Sequence, residues 1–423
     1  MSYLSFFFPR GDRWIFLAWV LLCLISLAVL WSVTEPIHGP YNQLDPGVAK
    51  GVFYRQVFWT VIGYGALLLA SKVPLRYLDN VAIPLFLFTV FLLAFILLVG
   101  PRIGGARRWL VIGPIHLQPS ELAKVTFILV TANILGRAVD EGRGILAALV
   151  SFLVMAVPMF LVLREPDLGT SLVFLAIWVG MVFWFGFPGT LLLGAGSAAL
   201  SAVIMFYSES VAREAWPWGL YVLLILVVLY FIRLSILSKV MLLAINIGFG
   251  IGIPFFWEKL QGYQQERILT FFDPSRDAFG SGYQAIQSKV AIGSGGLFGT
   301  HYLQGTQKGL AFLPERHTDF IFSVVGEELG FFGAVVLLGL FLTIILRGID
   351  YGASARRPFG RFVAVGVVTY FTFHVVVNVA ITTGLLPVTG LPLPLISYGG
   401  SNLLVSSLLL GLLLNVSSRT FEN

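Results

Sequence analysis

Ionisable side chains are few in this chain, and most of those that interrupt its apolar runs are carboxylates or their partners. Asp319 ends the segment Pro314-Glu315-Arg316-His317-Thr318-Asp319 and directly precedes Phe320-Ile321-Phe322. A carboxylate at that place either serves the dipole of a starting helix or, with Glu315, Arg316 and His317 around it, belongs to a charged site at a membrane edge. Asp167, in Arg164-Glu165-Pro166-Asp167-Leu168-Gly169-Thr170, reads by itself as an N-cap for free backbone N–H groups. Glu121 and Lys124 lie three apart on one helix face, so they can pair. Charge at membrane depth is costly, and that pair is either a structural tie between helices or a functional one. Glu327 and Glu328, about two turns into the helix that follows Asp319, read as capping or bridging groups.

Between residues 282 and 309, glycines alternate with polar and basic residues, including Gly293-Ser294-Gly295-Gly296, Lys289 and Lys308. Such backbone either cradles a phosphate through its N–H groups or is a flexible loop; its spacing is not that of a P-loop. There is no HExxH, CxxC or GxSxG motif, and His38, His116, His301, His317 and His374 are too scattered for a His-rich metal site.

The elements that must position these groups are membrane helices. Of 423 residues, 57% are hydrophobic and 11% charged, whereas a soluble domain carries about a quarter charged. That excludes a soluble enzyme with one anchor and a disordered or nucleic-acid-binding chain. Apolar runs fall at about 14–34, 56–74, 80–100, 119–137, 144–164 and 169–187, then at 190–208, 217–235, 238–257, 319–347, 362–386 and 402–418. Each is long enough to cross a core about 30 Å thick as helix. The fold class is therefore all-α polytopic, with about twelve spans. The first run reads as an uncleaved span, and the single cysteine, Cys23, can form no intramolecular disulfide. With a net charge of +6, the basic residues sit in loops where anionic lipid headgroups are the neighbours. Lys and Arg counts in short loops favour both termini on the cytoplasmic side. A long loop at 258–318, the 101–118 loop and the Pro-rich 387–401 stretch then face outward. These residues alone leave open whether an anionic, lipid-linked substrate is moved or reacted.

Five motifs together resemble the SEDS family (shape, elongation, division and sporulation): Gly105-Ala106-Arg107-Arg108-Trp109 with Gln118-Pro119-Ser120-Glu121-Leu122-Ala123-Lys124; Pro166-Asp167-Leu168-Gly169-Thr170; Leu313 to Phe322; and Pro392-Leu393-Pro394-Leu395-Ile396-Ser397-Tyr398-Gly399-Gly400-Ser401. They recur in family order over most of the chain. Gln287 to Gly296 and the His317-Thr318-Asp319 form look like the elongation branch rather than the division branch. The family has ten spans, so the resemblance implies a ten-helix core over 1–423 plus a two-helix insertion within about 205–257.

The resemblance implies a peptidoglycan glycosyltransferase that polymerises lipid II on the outer face of a bacterial cytoplasmic membrane. In that reaction an acceptor 4-hydroxyl displaces undecaprenyl pyrophosphate from a donor sugar, and one carboxylate takes the hydroxyl proton. By family carry-over that carboxylate is Asp319. Asp167 assists or holds a cation, Glu121 and Lys124 line a central cavity, and Ser397 matches a further motif position. Arg107, Arg108, Lys289, Lys308 and Arg316 are expected diphosphate contacts, from charge and position. The expected cofactor is a divalent cation, Mg or Mn, with no organic cofactor. The expected partners are a class B penicillin-binding protein transpeptidase, the rod-shape elongation machinery and membrane lipids. Two other readings compete: a lipid II flippase, and a scaffold of the elongation complex without catalysis.

Overall fold

The computed structural model describes residues 9, 11–34, 46–102, 106–113, 115–141, 144–187, 189–209, 214–259, 262–273, 277, 280–305 and 317–419. Helices α1 (Arg13–Thr34), α2 (Pro46–Lys72) and α3 (Leu75–Val99) are followed by a small antiparallel hairpin, β1 (Leu110–Ile112) and β2 (Ile115–Leu117). Then come α4 (Pro119–Glu141), α5 (Gly144–Arg164), α6 (Leu168–Trp184), α7 (Gly189–Tyr207), α8 (Trp216–Phe231) and α9 (Ile236–Trp257). The chain continues through α10 (Gly262–Phe272), α11 (Ser281–Gly295), α12 (Ile321–Ser354), α13 (Pro358–Thr382) and α14 (Gly400–Ser418).

Every apolar run expected from the sequence forms a helix. Among the described residues, nine helices are long and apolar enough to cross a membrane. The apolar helices at Leu168–Trp184, Gly196–Tyr207 and Trp216–Phe231 are shorter; seventeen residues of helix rise only about 25 Å, the lower limit for a span. The chain is an all-α polytopic membrane protein. The stretch 258–318, expected as loop, contains helices α10 and α11.

The chain divides into two compact units, residues 1–185 with 283–423, and residues 186–282. In the first, α4, α13 and α14 form the centre: 78%, 72% and 83% of their apolar windows are buried, against 17% for α2. α14 packs on α2, α4 and α13, and α13 also packs on α6 and α12. Small residues let these backbones approach, as membrane packing requires: a Cβ on Gly411 would lie 2.5 Å from the Leu67 carbonyl oxygen. Asn415 ties α14 to the end of α2 by donating to the Ala70 and Val73 carbonyls at 2.7 and 2.5 Å. α2, α3 and α5 turn rows of Leu, Phe and Val outward, the pattern of a lipid-facing surface.

α12 is bent at Gly330 (φ 65°). There the glycine-rich end of α11 lies against it: Phe331 N–H donates to Gly296 O at 2.9 Å and Thr300 N–H to Glu327 O at 2.8 Å. These glycines are occupied with close backbone contact, Gly295 meeting Gly326 O and Gly299 meeting Glu328 O. Intersegment hydrogen bonds here replace those lost at the bend.

The 186–282 unit is held by a polar seam. Asn246 donates to Ser197 Oγ (3.0 Å), Ser201 donates to Asn246 O (2.8 Å), and Trp218 Nε1 donates to Ser201 Oγ (3.0 Å). The Phe206, Trp257 and Phe272 rings cluster, with centroids 4.5 and 5.9 Å from Phe206. The range 205–257 holds the end of α7 with α8 and α9.

Candidate active site

Asp319 lies in a turn, residues 317–320, directly before α12, and its side chain is part-exposed. The N-cap of α12 is Phe320, and no side chain caps it. The turn is held through its backbone by two other segments. Ser397 donates its hydroxyl to Thr318 O (2.6 Å), Tyr398 N–H donates to His317 O (2.8 Å), and Asn378 Nδ2 donates to Asp319 O (2.9 Å). Asn378 spends its second amide hydrogen on Leu391 O (2.8 Å), so one buried side chain on α13 ties the Asp319 turn to the Pro-rich loop. Ser397 also accepts from Leu393 N–H (2.8 Å), and Leu395 closes this loop at φ 65°, a conformation that costs about 1–3 kcal/mol outside glycine. Gly390 (φ 77°) faces the carboxylate: a Cβ there would sit 3.5 Å from Asp319 Oδ2.

Asp167 approaches the same loop from the other side. It caps α6 by accepting from Thr170 N–H at 3.0 Å, as expected for an aspartate at a helix start. Two residues on, Gly169 packs on Thr389 O and Leu391, so residues 389–391 touch the starts of both α6 and α12. Arg108 stands 3.7 Å from Asp167 Oδ2 while its Nε and Nη2 donate to Glu165 O and Pro166 O at 2.7 and 2.6 Å. Gln118 Nε2 donates to the same aspartate at 3.5 Å. Beside them, Glu165 is 1% exposed, and neither carboxyl oxygen has a hydrogen-bond partner among the described residues. Its pKa is pushed up to about 8, by burial first and then by the Asp167 charge, against the pull of Arg108.

Glu121 and Lys124 form the expected pair, Nζ to Oε1 2.7 Å, both buried. The ammonium lies 5.4 Å from the Tyr370 ring centroid, and that ring contacts His374 at 4.4 Å. His374 Nδ1 is 3.2 Å from Pro392 O. One face of α13, Tyr370, His374 and Asn378 at helical spacing, therefore runs from the ion pair to the backbone of Asp319. Glu121 Oε2, His374 Nε2 and Asn378 Oδ1 have no partner among the described residues.

The other expected contacts are placed unevenly. Arg107 donates to Leu97 O and Leu98 O at 3.2 and 2.5 Å, closing the end of α3. Lys289 is exposed on α11 and lies over Gly384, where no Cβ would fit. Ser397 is 1% exposed and its hydroxyl is used in holding backbone. Lys308 and Arg316 lie outside the described residues. Sequence reading did not single out Asn378, His374, Gln118 or Glu165 as site residues; Gln118 opens a recognised motif and Glu165 adjoins another. Among the described residues no three His, Cys, Asp or Glu side chains gather where a metal could be held. A divalent cation needs several oxygen donors, and Asp167 is already engaged by Arg108, Gln118 and Thr170. These residues do not fit a bound divalent cation.

A bundle of apolar helices with a backbone-braced aspartate at one end and a buried ion pair in its centre defines a membrane-embedded class of protein with a polar site at the membrane edge. A family model for FtsW, RodA and SpoVE, described as "Cell cycle protein", matches residues 12–216 and 218–422. The chain belongs to this family, the SEDS family. It is 33% identical over 404 residues to the peptidoglycan glycosyltransferase MrdB of Escherichia coli strain K12, covering 94% of this chain and 91% of that protein. It is 31% identical to the peptidoglycan glycosyltransferase RodA of Treponema pallidum, covering 94% and 96%. Among solved structures, it resembles one described as "Structural coordination of polymerization and crosslinking by a peptidoglycan synthase complex", at TM-score 0.65 and 29% identity over 98% of this chain and 99% of that one. It also resembles the rod shape determining protein RodA of Thermus thermophilus, at TM-score 0.61 and 27% identity over 98% of each chain.

Proposed function

We propose that this chain is a peptidoglycan glycosyltransferase that joins lipid II units into glycan strands, with Asp319 as the general base. The observation that carries the reading is the bracing of Asp319: three hydrogen bonds fix the backbone of residues 317–319, while the carboxylate is part-exposed beside Gly390. A base must be held where the acceptor hydroxyl arrives, and the opening must admit a sugar. The Asp319 carboxylate removes the 4-hydroxyl proton as that oxygen bonds to the anomeric carbon of the donor. The bond from that carbon to the diphosphate breaks, and undecaprenyl pyrophosphate leaves with the electron pair. The developing charge needs cations; Lys289 and the arginines of the 101–118 loop are the basic groups offered. Arg108 serves the site by fixing Glu165 and Pro166 carbonyls and with them the start of α6. The site faces the outer side of the cytoplasmic membrane, both termini lie inside, and the chain works beside a class B penicillin-binding protein transpeptidase in the elongation machinery. The similarity to a peptidoglycan synthase complex supports such a partner.

The test uses the purified full chain and lipid II with no second enzyme. Strands are expected, and Asp319→Asn is expected to cut their rate at least about 100-fold, the ordinary contribution of a general base. Strand synthesis by Asp319→Asn at the parent rate overturns the base assignment. Lipid II that crosses the bilayer without being joined makes the chain a transporter. A parallel arm with a chelator reads whether Mg or Mn is needed, carried in with the diphosphate.

A further inference from the structure

The end of the bundle remote from Asp319 holds a second opening. Asp319 stands at the start of α12 and beside the end of α13; the turn joining these helices, residues 355–357, lies at their other ends. The 25 residues of α13 separate the two by about 37 Å, the full thickness of a bilayer core and more. At that turn lies an open cavity of about 50 Å³, walled by Arg356, Arg357 and Arg419 with Leu75, Gly360 and Val416, and among the described residues no carboxylate lines it.

Among the described residues, the charged side chains that line it have one sign. α13 begins here with Arg357 as N-cap and Pro358 next, and α3 begins here after Pro74; neither start has a side-chain capping bond or an acidic residue in its first turn. Two positive helix ends with uncapped N–H groups thus meet three guanidinium groups. Three negative helix ends lie here as well: those of α2 and α12, which run into these turns, and that of α14, whose C-cap is Arg419 itself; Arg419 Nη2 donates to Lys72 O at the end of α2 at 3.4 Å. The wall opposite the arginines is apolar, Leu75 and Val416 both packing within 3.8 Å of where a Gly360 Cβ would stand. Planar guanidinium forks and helix N-termini recognise phosphate oxygens, and an apolar wall suits the glycerol and acyl part of a lipid.

We propose that this cavity binds a phosphate ester, either the headgroup of an anionic phospholipid in the leaflet opposite the Asp319 site or a soluble phosphate. The proposal does not depend on the role of Asp319. The experiment is native mass spectrometry of the purified full chain in neutral detergent, titrated with dioctanoyl phosphatidylglycerol, with the matching phosphatidylcholine, and with inorganic phosphate as competitor. We expect at least tenfold tighter adducts with phosphatidylglycerol than with phosphatidylcholine. Arg357→Ala/Arg419→Ala is expected to weaken phosphatidylglycerol at least tenfold, and the control Arg233→Ala, in the 186–282 unit, to leave it unchanged. Arg357→Ala alone, an exposed side chain, is expected to weaken it at least threefold and keeps the test readable if loss of the Arg419 bond to α2 prevents folding. Displacement of the adduct by inorganic phosphate assigns the site to phosphate esters in general; no displacement assigns it to the lipid. Equal binding of the two lipids, or a loss with Arg233→Ala matching that of the pocket variants, overturns the proposal and leaves these arginines as orientation signals only.

Discussion

Asp319 and the Glu121–Lys124 pair are both charged sites in the same helical unit, and they are built in opposite ways. Around Asp319 the backbone is fixed, by Ser397, Tyr398 and Asn378, while the side chain is left part-exposed beside a glycine. Around Glu121 and Lys124 the side chains themselves are fixed, against each other and under Tyr370, with no access to solvent. The first arrangement fixes the position of a part-exposed carboxylate through its backbone. The second cancels charge in a low dielectric, and its loss is felt as stability. The α13 face of Tyr370, His374 and Asn378 joins the two.

The comparison can be broken at several places. The largest effect is Asp319→Asn: at least about 100-fold less polymerisation with the fold kept, because three bonds that hold this turn end on backbone oxygens. A drop in Tm matching the loss of rate would make Asp319 structural. Next, Lys124→Ala is expected to destabilise the chain by about 3–5 kcal/mol, the cost of leaving Glu121 buried and unpaired. The double change Glu121→Leu/Lys124→Met should recover most of that in a thermal or denaturant assay; failure to recover would show that the pair does more than cancel charge. Asn378→Leu strands two buried carbonyl oxygens at about 1–3 kcal/mol each. It should lower kcat at least tenfold with KM for lipid II within twofold, and a pure KM effect would place Asn378 in substrate binding.

The smallest effect concerns Glu165. Its folded pKa of about 8 stands above the ordinary 4.5, so between those values the unfolded chain has lost a proton that the fold retains, and stability falls as pH rises through that window. Above about 8 the folded group ionises too and the loss levels off. Glu165→Gln removes the slope. The Tm difference between variant and parent should therefore grow in favour of the variant from pH 5 to pH 8, and a constant difference would show that Glu165 is ionised in the fold.

Much of the scaffold was legible because membrane burial writes itself into composition: each apolar run became a helix. The Asp167 cap and the Glu121–Lys124 pair were legible for a similar reason, since both are contacts within four residues. What bridges distant segments was not. Ser397 looked like a site residue, but its hydroxyl holds Thr318 in place. Gly293-Ser294-Gly295-Gly296 was open between phosphate cradle and loop, and instead belongs to α11 and to the bend in α12. Asn378 carried no signal at all, being one polar residue on an apolar helix.

Residue type and spacing by themselves determined that this chain lives in a bilayer, where its helices run, and which acids and bases interrupt them, because hydrophobic length and near-neighbour pairing are local quantities. Only the tertiary structure decided that residues 389–391 touch the starts of both α6 and α12, that one asparagine fastens the Asp319 turn, and that Arg356-Arg357 and the distant Arg419 wall one cavity. Those outcomes depend on which helix faces meet, a choice made by packing and by the satisfaction of buried polar groups over the whole bundle rather than by any segment alone.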